Sequence, residues 1–222
     1  MESSIISLNV GRAEVISQKK DREILSGINK QSVGGKSVFL SFNGLSGDTQ
    51  ADLKNHGGPD KAVCVYPAEH YEHWKSHHGM NMKEGAFGEN LLILGMPETT
   101  VCIGDIYEWG EAVVQVSQPR QPCYKLAEKH GLPSLPLFVR ENGFSGYYFR
   151  VLKEGMVSMD SVLKKQESGP GFSIAEINTL TYQPINDHEP ILALLRSPFL
   201  AESWKKTLRK KYGITETAGG EK

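Results

Sequence analysis

The segment Ser117-Gln118-Pro119-Arg120-Gln121-Pro122-Cys123-Tyr124-Lys125 puts one thiol between two cations, where a strand runs into a helix. Ala112 to Val116 is apolar and β-branched, as suits a strand. Pro122 suits the first turn of a helix, where its missing N–H costs nothing. That helix should run through Leu126 and Ala127 to a stop at Gly131, with Pro133 beyond it. Cys123 would then meet unpaired N–H groups and the positive end of the helix dipole. Arg120 and Lys125 add positive charge. All three effects favour thiolate over thiol, so Cys123 is expected to be reactive or to bind a metal. Cys64 and Cys102 lie in the apolar runs Ala62-Val63-Cys64-Val65-Tyr66 and Val101-Cys102-Ile103. Both read as inert thiols in strands.

A second candidate is Gly44-Leu45-Ser46-Gly47-Asp48-Thr49-Gln50-Ala51-Asp52, followed by Asn55-His56-Gly57-Gly58-Pro59-Asp60-Lys61. Its glycines can bring backbone N–H groups close to an anion such as a phosphate, with His56 and Lys61 as donors. The same residues would also serve as a pair of turns, with Asp48 and Asp52 bonding local backbone. The spacing is not that of a P-loop. Lys36 either points into a barrel mouth or is solvated. Asn90, in Phe87-Gly88-Glu89-Asn90-Leu91, either binds a heterocycle or closes a turn. His73 and His77 stand at i, i+4, but no third ligand has matching spacing, which favours a solvated helix face. Arg140 and Arg150 are further cations with no local signature.

The elements that must position these residues are mostly strands. Ile5–Val10, Ser37–Phe42, Ala62–Tyr66, Leu91–Leu94, Ile106–Trp109, Ala112–Val116 and Tyr147–Leu152 are short runs between glycine-rich turns. Many short strands at irregular spacing predict a mainly β fold, a closed or half-closed barrel over residues 1–165. Lys164 to Gly171 is polar and reads as a linker. Residues 172–213 turn helical. Ser173-Ile174-Ala175-Glu176 has the form of a capping box. Asn186 to Glu189 can cap a second helix, and Ser197-Pro198 can open a third. Three short helices build little core alone, so they should pack on each other and on the barrel, or on a second subunit in a homodimer.

Composition narrows the classes. The chain has 222 residues and a net charge of −1, so no bulk basic field draws it to nucleic acid or an anionic membrane. No apolar run reaches the roughly 18 residues of a membrane helix, and the first residues lack the pattern of a signal peptide. Three cysteines without paired spacing oppose a disulfide framework and fit a reducing cytoplasm. No motif offers zinc or an iron–sulfur cluster a home.

Taken together, Gly47–Asp52, His56–Ala62, Phe87–Leu91, Gly104-Asp105 and Gln118–Leu126 fall in the order seen in MOSC domains, the family related to the C-terminal part of molybdenum-cofactor sulfurases. The chain resembles that family over about residues 5 to 165. Its helical end is similar to the three-helix extension of the bacterial hydroxylaminopurine-resistance (YiiM) type. The resemblance implies a β-barrel with flanking helices that holds the molybdenum cofactor, molybdopterin with its metal. It implies that Cys123 is the protein ligand to molybdenum, and a soft thiolate suits that role. Arg120, His56, Lys36, Ser117 and Asn90 become candidates to hold the phosphate and pterin. Asp48 and Asp52 are read instead as loop braces. Asn55 stands where some relatives carry a second histidine.

The activity so implied is reduction of N-hydroxylated compounds such as hydroxylaminopurines, a detoxification of base analogues. N–OH becomes N–H plus water, with Cys123 and His56 at the reacting centre. His56 is a proton donor or equally a phosphate contact. The chain carries no flavin or iron–sulfur signature, so a separate reductase must supply electrons. A rival class uses the same thiol: a non-catalytic carrier of the cofactor or its sulfur.

Overall fold

A computed structural model of the chain describes residues 3–19, 22–51 and 57–215. His56, Asn55 and Asp52 lie outside the described residues. Eight strands form one curled mixed sheet, a half-barrel. In spatial order these are β13 (Leu163–Glu167), β9 (Ile106–Trp109), β10 (Ala112–Pro119), β11 (Tyr147–Lys153), β7 (Val63–Pro67), β8 (Leu91–Leu94), β1 (Ser4–Val10) and β4 (Gln31–Ser32). Neighbours are antiparallel except β7 and β8, which run parallel. Smaller sheets pair β12 (Gly155–Val157) with β5 (Val38–Ser41) and β6 (Gly44–Leu45), and β2 (Glu14–Lys19) with β3 (Arg22–Ser26). The mainly β expectation holds.

The central strands alternate between two environments, as a pleat requires. Val63 and Val65 of β7, Val114 and Val116 of β10, and Tyr147 and Phe149 of β11 enter one core. Tyr66, on the opposite face of β7, enters a second core with Trp74, Phe87 and Leu126. That second core seats α1 (His70–His78), α2 (Tyr124–His130) and α3 (Leu135–Asn142). A bulge in β10 separates Val116, paired with Phe149, from Gln118, paired with Tyr148. The extra residue, Ser117, re-aims the strand end that leads to Arg120 and Cys123.

Three C-terminal helices follow: α4 (Ile174–Tyr182), α5 (Glu189–Arg196) and α6 (Glu202–Tyr212). The capping box at α4 is present. Ser173 Oγ accepts from the Glu176 N–H at 3.2 Å, and Glu176 Oε2 accepts from the Ser173 N–H at 2.7 Å. Ile177, Leu194, Trp204 and Leu208 join the same core as Val116 and Phe149, so the helices pack on the sheet itself.

Three local expectations are corrected. Lys164 to Glu167, read as the start of a linker, belong to the edge strand Leu163–Glu167. Only Leu163 is buried, because an edge strand keeps its other side chains in solvent, and Lys165 reaches the buried Asp105 at 2.8 Å. The third helix begins at Glu202 rather than at Ser197-Pro198, because Ser197 terminates α5. Pro122 precedes α2 instead of occupying its first turn, and Cys123 itself is the N-cap.

Candidate functional site

β10 delivers the chemistry. At its end the Arg120 N–H donates to the Gly146 carbonyl at 2.9 Å, and the chain then leaves the sheet. Cys123 has extended geometry (φ −122°, ψ 165°), and its carbonyl accepts from the Leu126 N–H at 3.1 Å as the helix starts. α2 stops at Gly131, whose φ of 62° is readily reached without a Cβ. Cys123 is held half-buried at the point where two cavities meet.

The inner cavity, about 620 Å³ counting its mouth open to solvent, is lined by Lys30, Lys61, Cys64, Arg120, Cys123 and Tyr148, among others. The outer groove, about 1930 Å³, runs past Cys123 between Arg140 and Ser203 and Thr207 of α6. Four cationic side chains, Lys30, Lys61, Arg120 and Lys125, line the inner cavity against one carboxylate, Asp48, among the described residues. Such a lining favours an anion. Arg120 is 6% exposed. Its Nη2 donates to the Phe87 carbonyl at 2.6 Å, while Nη1 is buried without a hydrogen-bond partner. Burial opposes its charge, and Cys64, Tyr148 and Cys123 raise the guanidinium above its ordinary range only where they ionise, at high pH. A buried donor without a partner costs roughly 1–3 kcal/mol. An anionic group in the cavity would remove that cost.

Phe87 is fixed by the turn that follows it. Glu89 is fully buried and accepts from the Gly85 N–H (2.8 Å), the Phe87 N–H (2.9 Å) and the Tyr71 hydroxyl (2.6 Å). Gly88 has φ +71°, and a Cβ there would lie 2.6 Å from Ile28 Cγ1. The turn therefore needs glycine for both reasons.

The other expected residues are placed as follows. Asn90 lines the cavity, but its amide is already committed. Oδ1 accepts from the Cys64 N–H at 3.0 Å, and Nδ2 donates to the Asn9 carbonyl at 3.1 Å and to Asp48 at 3.0 Å. Asp48 is a brace that also accepts from the Gly11 N–H and pairs with Lys30. Ser117 is fully buried; its hydroxyl donates to the Asp60 carbonyl at 2.6 Å and lies 3.0 Å from the Tyr148 carbonyl, tying one loop to the sheet. Lys36 is exposed just after the Gly34-Gly35 turn and lines neither cavity. Arg150 is a strut, bonded to Asp60 at 2.9 Å and to the Phe199 carbonyl at 2.8 Å. His73 and His77 stack ring on ring at 4.2 Å, and among the described residues no group of three or more His, Cys, Asp or Glu could hold a metal.

Two residues gain a role that their local sequence does not signal. Cys64 was expected to be an inert core thiol. It is buried, yet it lines the inner cavity, because β7 turns it away from Val63 and Val65. Burial pushes its thiol up to about 11, so it is neutral near pH 7. Tyr148 lines both cavities, and only its pairing register reveals this. Cys102 sits in an isolated bridge to Ser173 rather than in a strand, and lines neither cavity.

The chain matches the MOSC domain over residues 52–164 and the YiiM-like 3-alpha helix domain over residues 173–211. It is 44% identical over 209 residues to the uncharacterized protein YflK of Bacillus subtilis, covering 94% of each. It is similar to YiiM from Geobacillus stearothermophilus in crystal structure, with TM-score 0.79 and 40% identity over 94% of this chain and 98% of that one. A protein of Gibberella moniliformis named "Reductase" is 36% identical over 160 residues, 70% of this chain but only 28% of that longer protein. A curled sheet carrying Cys123 at its mouth, closed by three C-terminal helices, thus places the chain in the MOSC domain family, in its YiiM-like branch.

Proposed function

We propose that the protein is a molybdenum-cofactor-dependent reductase of N-hydroxylated compounds such as 6-hydroxylaminopurine. One observation carries the reading: Cys123 shares a cavity with the partnerless Nη1 of buried Arg120. That pairing offers a soft metal ligand beside an anion holder, the two functions a phosphate-bearing molybdenum cofactor needs. Family membership and the reductase relative support the same class.

Cys123 would hold the metal, and Arg120 with Lys61 and Lys125 would hold the cofactor's phosphate. When bound, the cofactor supplies oxygen-accepting two-electron redox chemistry. The chain's own part is positioning. Asn90, Asp48 and Glu89 fix the loops around the cavity. The outer groove, which reaches Cys123 from solvent, is where a heterocyclic substrate would enter. Electrons would come from a separate donor protein.

The test is protein purified from a host that makes the cofactor. About one molybdenum and one pterin per chain, with reduction of 6-hydroxylaminopurine by reduced methyl viologen, is the expected result. Bound cofactor that transfers to an apo-enzyme without any turnover would favour a carrier instead.

A further inference from the structure

Reduction of an N–OH group needs a proton at the departing oxygen, and the register of β11 selects a donor. Tyr147, Phe149 and Val151 of that strand enter the core. Tyr148, between Tyr147 and Phe149, faces the other way. It pairs with Cys64 of β7 on one side and Gln118 of β10 on the other. Directly paired residues share a sheet face. Cys64, Tyr148 and Gln118 therefore form a row under the cleft. Cys64 lines the inner cavity, Gln118 the outer groove, and Tyr148 both, as Cys123 does.

The phenol interacts with both thiols and with the Arg120 guanidinium. An ordinary phenol is protonated at neutral pH and so offers a hydrogen-bond donor to the cleft. Other tyrosines near the site are committed or remote. The Tyr66 hydroxyl donates to the Phe144 carbonyl at 3.2 Å, the Tyr71 hydroxyl donates to Glu89 at 2.6 Å, and Tyr124 is exposed and lines only the outer groove.

Resting on the reductase reading above, we infer that the Tyr148 hydroxyl holds the oxygen of the substrate's N–OH group and gives it the proton with which it leaves as water. The balance is R–NH–OH plus two electrons and two protons to R–NH2 plus H2O. The N–O bond breaks, and an external donor, a redox protein or a reduced dye, supplies the two electrons, which the cofactor would relay when bound. Tyr148 protonates the departing oxygen, and solvent protonates the nitrogen. Arg120 stabilises the phenolate until water in the outer groove restores its proton.

Tyr148→Phe, which deletes one oxygen, tests this beside wild type, both loaded in a cofactor-making host. Three quantities are read: molybdenum per chain, turnover of 6-hydroxylaminopurine with reduced methyl viologen, and the ratio of calorimetric Kd values for adenine and 6-hydroxylaminopurine with the oxidised protein. The expected result is unchanged molybdenum, turnover lower by about 100-fold or more, and loss of the wild-type preference for the hydroxylated base. 3-Fluorotyrosine at position 148 keeps the hydroxyl and should keep most of the turnover, which guards against a folding defect. Wild-type turnover in Tyr148→Phe would overturn the assignment. So would loss of molybdenum from that variant, or a fluorotyrosine protein as slow as the phenylalanine one. Wild-type protein with full molybdenum and no turnover would sink the reductase reading itself, and the proton-donor role with it.

Discussion

Cys64 and Asn90 bind each other twice. The Cys64 N–H donates to Asn90 Oδ1 at 3.0 Å, and the Asn90 N–H donates to the Cys64 carbonyl at 2.8 Å. This reciprocal pair locks the turn before β8 onto β7 and so fixes one wall of the inner cavity. Asn90 is a brace, not a free pterin contact.

Asn90→Ala should therefore act on stability first. It leaves the buried Cys64 N–H and the Asn9 carbonyl without this partner, at a cost of roughly 1–3 kcal/mol. Urea unfolding measures it, and an unchanged midpoint would show that the amide braces nothing.

Much of the fold is legible from short range. The strand runs of β1, β7, β8, β9 and β10 and the capping box at Ser173 announce themselves through local composition and spacing. Cys123 stands out by its neighbours Arg120, Pro122 and Lys125, all within three residues. What sequence could not give is which face of a strand meets which cavity. Cys64 and Tyr148 sit in apolar runs that read as core, and only cross-strand register turns them toward the cleft. Lys164 to Glu167 mislead for the opposite reason: the exposed part of an edge strand is polar enough to pass for a linker. Lys36 is exposed just after the Gly34-Gly35 turn, and nothing in its local sequence settles whether it points inward. The placement of His56 lies outside the described residues.

Cys64 also makes a pH prediction. Its thiol titrates near 9.0 in the ordinary state and near 11 when buried here. The folded chain holds that proton longer than the unfolded one. Its contribution is fully present below about pH 9 and is lost as pH rises through about 11, amounting to at most about 3 kcal/mol. Wild type should therefore lose stability relative to Cys64→Ala between those values. A constant difference between the two proteins from pH 8 to 11 would contradict the buried, neutral thiol.

Arg120→Lys separates charge from geometry. Lysine keeps the cation but cannot both reach the Phe87 carbonyl and present a second donor to the cavity as the guanidinium does. Molybdenum occupancy after dialysis should fall at least several-fold, while the thermal midpoint moves less than it does for Asn90→Ala. Full occupancy in Arg120→Lys would remove the guanidinium from the anchor.

The metal content of Cys123→Ser remains the decisive measurement, because that side chain is half-buried and caps a helix without a side-chain hydrogen bond. The sulfur-to-oxygen exchange should leave the melting profile near that of wild type and the purified protein without molybdenum, while Cys64→Ala and Cys102→Ala keep theirs. A Cys123→Ser protein that retains a full complement of metal would mean that the cavity grips its cofactor by some other atom.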